Sequence, residues 1–183
     1  MQDRNERVMQ ATQRWLERAV IGLNLCPFAK AVHVKGQIHY AVSRAVTPED
    51  LLDDLRRELD ALVAADPQER ETTLLIAPSC MQDFLEFNDL LTRADRLLAQ
   101  CGFEGEVQIA NFHPHYQFAG TDVADITNFS NRSPYPTLHL LRESSIDRAV
   151  ASFPQASAIF EANMATLRRL GPHGWASLGM DSA

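Results

Sequence analysis

Cysteine is scarce in this chain. Cys26, Cys80 and Cys101 are its only three, and no two stand at C-x-x-C spacing. That excludes a zinc ribbon and a thioredoxin-like redox motif, and an odd, scattered set fits a reducing compartment better than a disulfide framework. Long apolar runs are missing too. The longest, around Leu74 to Pro78, falls far short of the roughly 20 residues a spanning helix needs. The first residues, MQDRNERVMQATQRW, carry no apolar core of the signal-peptide kind. No membrane association and a cytoplasmic location are therefore expected. There is no G-x-G-x-x-G, no Walker-type phosphate loop, no G-x-S-x-G and no H-E-x-x-H, so no motif names a nucleotide, a cofactor or a serine nucleophile. Positive charge is outnumbered: Lys and Arg total 17 against 24 Asp and Glu, a net charge of −7 with pI about 5.3. Nucleic acid is thereby disfavoured as a partner, although a local basic pocket is compatible with an acidic whole.

What remains is an ordinary globular composition, 45% hydrophobic and 22% charged, without repeats or low-complexity runs. Its length fits one domain, 1–183, with flexible ends expected at 1–4 and 179–183. Asn5 to Leu23 reads as an amphipathic helix. Val8, Thr12, Trp15, Leu16, Ala19, Val20 and Leu23 share a face, while Arg7, Arg14, Glu17 and Arg18 lie off it. Asn24 suits a left-handed closing position before Pro27. Residues 37–45 alternate as a strand. Thr47-Pro48-Glu49-Asp50 starts a second helix with a cap, a first-turn proline and two acids at the positive end of the dipole. Thr72 to Ala77 is a continuous apolar run, the mark of a strand covered on both faces. Asp83 to Gln100 is a third helix, closed by Gly102. Strands follow at 106–112 and 137–142, then helices at 144–153 and 156–170, the last ending at Gly171-Pro172 with a tail carrying Trp175. The order implies an α/β domain, bordering on α+β. It has a four-stranded mixed sheet and packed helices, the fourth strand free to run antiparallel because no helix precedes it.

Between the third and fourth strands lies the densest chemistry, NFHPHYQFAGTDVADITNFSNRSPYPTLHLLRE from Asn111 to Glu143. A connection this long without a helical pattern is usually functional or disordered, and its aromatics argue against disorder. It leaves the carboxyl end of a parallel strand, where ligands of such sheets collect. One reading is an enzyme acting on a small anionic metabolite. Arg132 and Asn131 would hold the anion, with Tyr116 and Ser133 completing the binding set. His113 would move a proton, Asp125 would orient it or a water, and Cys26 is an extra candidate. A second is a metal site built from His113 and His115 with Asp122 or Asp125. A third is a loop that contacts another protein. His139, inside the last strand, reads more simply as a buried structural histidine.

The segments WLERAVIGLNLCPFAKAV, TTLLIAPS, DFLEFNDLL, FHPHYQFAGT, NFSNRSPYPTLHLLRE and ATLRRLGPHGW, spread from Trp15 to Trp175, resemble a bacterial family known only as domain of unknown function 1415. The resemblance implies one cytoplasmic domain and no assigned reaction. Asn24, Cys26, Pro27, His113, Pro114, Tyr116, Asn131, Arg132, Ser133, Pro134 and His139 match its signature. The family pattern often carries an acid where this chain has His115, which shifts weight from a metal pair to His113 alone.

Overall fold

The computed structural model describes residues 2–152 and 156–180. Helix α1 (Gln2–Trp15) runs on as a π-helical segment (Leu16–Ile21), followed by α2 (Ala29–Val34) and β1 (Ile38–Val42). Then come α3 (Pro48–Ala64), β2 (Thr72–Ile76), α4 (Phe84–Gln100) and β3 (Val107–Phe112). A 3-10 turn (Ile126–Asn131) interrupts the long loop, and β4 (Thr137–Arg142), α5 (Glu143–Ser152) and α6 (Ala156–Ala176) complete the chain.

The strands form one sheet in the order β1-β2-β4-β3. β1 and β2 pair in parallel, and β4 is antiparallel to both β2 and β3. β1, β2 and β3 therefore point the same way, with β4 inserted between the second and third. Antiparallel β4 agrees with the sequence reading. Its central place does not follow from local pattern, because strand order is set by pairings distant in sequence.

Alternation splits the sheet into two faces. Leu75, Ala77, Leu138, Leu140 and Val107 pack against Leu51, Leu55, Leu59 and Leu62 of α3 and Phe87, Leu90, Ala94 and Leu98 of α4. The opposite face, with Leu74, Ile76 and Phe112, meets Val8, Trp15, Leu16, Ala19 and Val20. β2 is buried along its whole length, as its unbroken apolar run requires.

The helix starts work as the sequence states. Thr47 accepts the Asp50 N–H, Pro48 opens α3, and Asp83 accepts the Leu85 and Glu86 N–H groups at the start of α4. α4 ends in a Schellman arrangement. The Phe103 N–H reaches the Leu98 carbonyl, the Gly102 N–H reaches that of Ala99, and Gly102 takes φ +78°. Asn24 closes the first helical stretch at φ 55°. The π-helical turn is an addition to the sequence reading: Gly22 N–H reaches Glu17 O and Leu25 N–H reaches Val20 O. Gly22 fits there because a Cβ would lie 2.3 Å from the Arg18 carbonyl oxygen. The helical run of α6 breaks at Gly171 (φ 65°, ψ 174°), where the sequence placed the end, and Trp175 beyond it packs back on the Trp15 cluster. Of the ends expected to be flexible, Gln2–Arg4 belong to α1 and Gly179 accepts a hydrogen bond from Arg18. Met1 and residues 181–183 lie outside the described residues, as does Phe153, which the sequence placed at the end of a helix.

Candidate functional site

The carboxyl ends of β1, β2 and β3 share one edge of the sheet, and the long loop folds over it. His113 leaves β3 there and turns toward α4. Its side chain is fully buried against the rings of Phe84 and Phe87. Nε2 lies 3.0 Å from the Met81 carbonyl oxygen, and Nδ1 accepts the His115 backbone N–H at 3.0 Å. A carbonyl can only accept, so Nε2 carries the proton and Nδ1 is the bare acceptor. Burial above all holds the imidazole below its usual value, helped by His115 and opposed by the Met81 bond. A neutral ring with both nitrogens engaged joins the β2–α4 connection to the long loop. The proton-moving role expected of His113 finds no free ring nitrogen in this arrangement.

The other loop residues are engaged in the same manner. Arg132 donates from Nε to the Tyr116 carbonyl (3.1 Å) and from Nη2 to that of Val123 (2.7 Å), and its Cζ sits 4.2 Å from the Phe129 ring centroid. Asp125 caps the 3-10 turn by accepting the Thr127 N–H and hydroxyl, which hold its carboxyl below the usual value. Asn131 accepts the His113 N–H through its backbone and the Ser130 hydroxyl through its side chain. Ser133 donates to the Tyr135 carbonyl at 2.6 Å. Tyr116 lies against Phe84 and Phe118, and burial raises its phenol. Asn128, in a segment whose asparagines and serines suit local backbone hydrogen bonds, is the centre of this network. It is fully buried, accepts from Phe118 N–H (2.9 Å) and Thr121 Oγ1 (2.8 Å), and donates to the Asp122 carbonyl (2.9 Å).

The metal alternative requires three converging ligands. Asp122 caps its own turn by accepting the Ala124 N–H, and both His113 nitrogens are engaged. Among the described residues no group of three His, Cys, Asp or Glu side chains is placed to hold an ion. Cys26 stands elsewhere, on the α1 face of the sheet, in the wall of a cavity that also contains His139.

Of the concave sites among the described residues, two adjoin α1. One is that cavity. The other is a groove of about 600 Å³ between α1 and the carboxyl edge of the sheet. Arg4, Arg7, Gln10 and Arg14 line it from the helix, opposite Pro78 just past β2 and Pro134-Tyr135 just before β4. Spacings of three, three and four along Arg4, Arg7, Gln10 and Arg14 place these side chains on one side of α1. Arg4 donates to the Ser79 hydroxyl at 3.1 Å, which ties the helix to the sheet edge. Among the described residues Arg7 pairs only with Asp3 at 3.4 Å, a solvated bond of small worth. Arg14 Nε is buried and has no hydrogen-bond partner among the described residues. These arginines fall off the apolar stripe of α1, where sequence periodicity assigns side chains to solvent. Their one legible signal is a cluster of three like charges in an acidic chain.

No helix among the described residues is long and apolar enough to cross a membrane. Comparison with curated proteins finds no match, and comparison with solved structures finds none either. The family model described as Protein of unknown function (DUF1415) matches residues 7–177 of the 183, and the chain belongs to that family.

Proposed function

We propose that the protein binds a small molecule bearing two or more negative charges, such as a polyphosphate or polycarboxylate, in the groove between α1 and the sheet edge. The observation that carries this reading is the trio Arg4, Arg7 and Arg14 on one wall, with a buried Arg14 N–H that lacks an acceptor among the described residues. A buried donor without a partner costs about 1–3 kcal/mol, and an anionic oxygen would remove that cost. The position suits the reading, because ligands of α/β sheets collect at the carboxyl ends of the parallel strands. The anion expected from the sequence is retained here, with its arginines supplied by α1 rather than by Arg132. The long loop contributes Pro134 and Tyr135 as a stiff wall. Among the described residues neither a carboxylate, an imidazole nor a thiol lines the groove, so the reading is recognition rather than proton transfer.

Isothermal titration with pyrophosphate and citrate tests it, against sodium chloride of matched ionic strength. The expected result is saturable binding that weakens at least tenfold in Arg14→Gln. Heats no larger than the salt control for both anions would overturn the reading.

A further inference from the structure

The cavity that holds Cys26 and His139, on the α1 face of the sheet, is a different kind of site. Its volume is about 300 Å³, at the lower end of the range for small-molecule sites. Trp15, Leu16 and Val20 form one wall, Phe28 and Val32 the next, and Ile146, Ala149 and Val150 of α5 close the third. The floor is the sheet, through Ile38, Leu74, Phe112 and Leu141. α5 is fastened over it by Ser145 and Arg148, both of which donate to the Glu71 carboxylate.

Of the polar residues that line it, Ser145 donates to Glu71 and Arg142 Nη2 is held by the Leu62, Ala65 and Arg70 carbonyls, while His139 lies on the floor with a tautomer fixed by its hydrogen bonding. Thr72 Oγ1 donates to the Leu140 carbonyl at 2.6 Å, so its hydroxyl proton is already committed. The contact of 2.7 Å between Thr72 Oγ1 and His139 Nε2 must then run from the imidazole N–H to the hydroxyl oxygen. Nδ1 is left as a bare acceptor, with no partner among the described residues. Burial pushes this imidazole down to about 4, so the ring is neutral around pH 7. An acceptor in an apolar cavity selects for a donor, because an unmatched lone pair there is costly. The size sets the rest. A cavity of about 150 Å³ takes a benzene ring, so one of twice that volume matches a bicyclic molecule.

We propose that this cavity binds a flat, uncharged, bicyclic aromatic compound carrying one N–H or O–H group, which donates to Nδ1 of His139. The walls are mostly apolar, so the charged ligands that suit the α1 groove are disfavoured here. The inference does not rest on the anion reading.

Cys26 provides a local reporter, because it lines this cavity, whereas Cys80 is buried in the opposite core and Cys101 closes α4. The experiment uses the full chain, with indole as probe and indene as the isostere lacking a donor. Thiol labelling is followed at Cys26 and Cys101 by mass spectrometry. Indole is expected to slow labelling of Cys26 at least threefold with Cys101 unchanged, and indene at equal concentration is expected to protect at least fivefold less well. His139→Phe should abolish the difference between the two. Since that variant perturbs the Thr72 bond, nitrogen NMR of the unmodified protein gives a second readout, with indole moving the Nδ1 resonance of His139. Equal protection by indole and indene together with an unmoved Nδ1 resonance would overturn the proposal. So would no protection by either.

Discussion

The long loop and helix α1 both carry arginine, and the two use it in opposite ways. Arg132 has carbonyl partners at 3.1 and 2.7 Å and an aromatic ring beneath it. Among the described residues Arg14 has a buried Nε with no partner, and Arg7 holds only a solvated aspartate. The difference follows from how each segment is covered. A loop of more than twenty residues laid over a sheet edge has no ladder to satisfy its backbone, so its own polar side chains must do so. Asn128, Asp125, Ser133, Thr121 and Arg132 each hold a loop N–H or carbonyl. A helix satisfies its backbone internally, so side chains off its buried stripe stay available. Density of polar residues in a sequence thus marks where hydrogen bonds are needed. It does not mark where they are left over for a ligand.

The comparison breaks most readily at Asn128. Asn128→Leu removes three hydrogen bonds and leaves the Phe118 N–H and the Asp122 carbonyl without their partner. Loss of about 3 kcal/mol in urea-unfolding free energy is expected, at the upper end of ordinary substitutions. A change below about 1 kcal/mol would mean that the loop does not depend on its internal bonds.

Acid provides a test of comparable size. Burial depresses His113 and His139 in the folded state, His139 to about 4. The unfolded imidazoles protonate near 6.5, so below that pH the unfolded chain binds more protons and stability falls as pH falls. For His139 the loss begins near pH 6.5 and is complete near 4, and it amounts to about 3 kcal/mol. His139→Phe should flatten the slope of unfolding free energy over that window. An unchanged slope would show that His139 is not a neutral buried imidazole.

Much of the frame is legible from local chemistry. Thr47 and Asp83 announce helix starts, Gly102 and Gly171 announce ends, and the apolar run at Thr72 announces a strand covered on both sides. Each of those signals acts within a few residues of itself. The insertion of β4 between β2 and β3 depends on pairings such as Leu74 with His139, 65 positions away, and no local pattern encodes it. The groove is hidden for a related reason. Arg4, Arg7 and Arg14 carry the periodicity of an exposed face, and it takes the packed sheet edge at Pro78 and Tyr135 to turn that face into a wall. His139 has the same character: alternation places it on a buried face, and only the Thr72 and Leu140 bonds reveal that one ring nitrogen is left over.

The two arginines permit a reciprocal test, and its stability arm is the smallest effect expected. Arg132→Gln should lower unfolding free energy by about 2 kcal/mol, because Gln cannot span the Tyr116 and Val123 carbonyls together. Its affinity for pyrophosphate should stay within twofold, since the groove does not include that side chain. Arg14→Gln should do the reverse. Without ligand its stability should not fall, because the substitution breaks no Arg14 bond among the described residues and removes a buried donor that has none there. Pyrophosphate should lose the stabilisation it gives the unsubstituted protein, because a ligand that binds only the folded state raises its stability in proportion to occupancy. Melting curves of the two variants with and without pyrophosphate separate these arms. If Arg14→Gln melted several degrees lower without ligand, Arg14 would be a structural arginine like Arg132, and the contrast between the two regions would disappear.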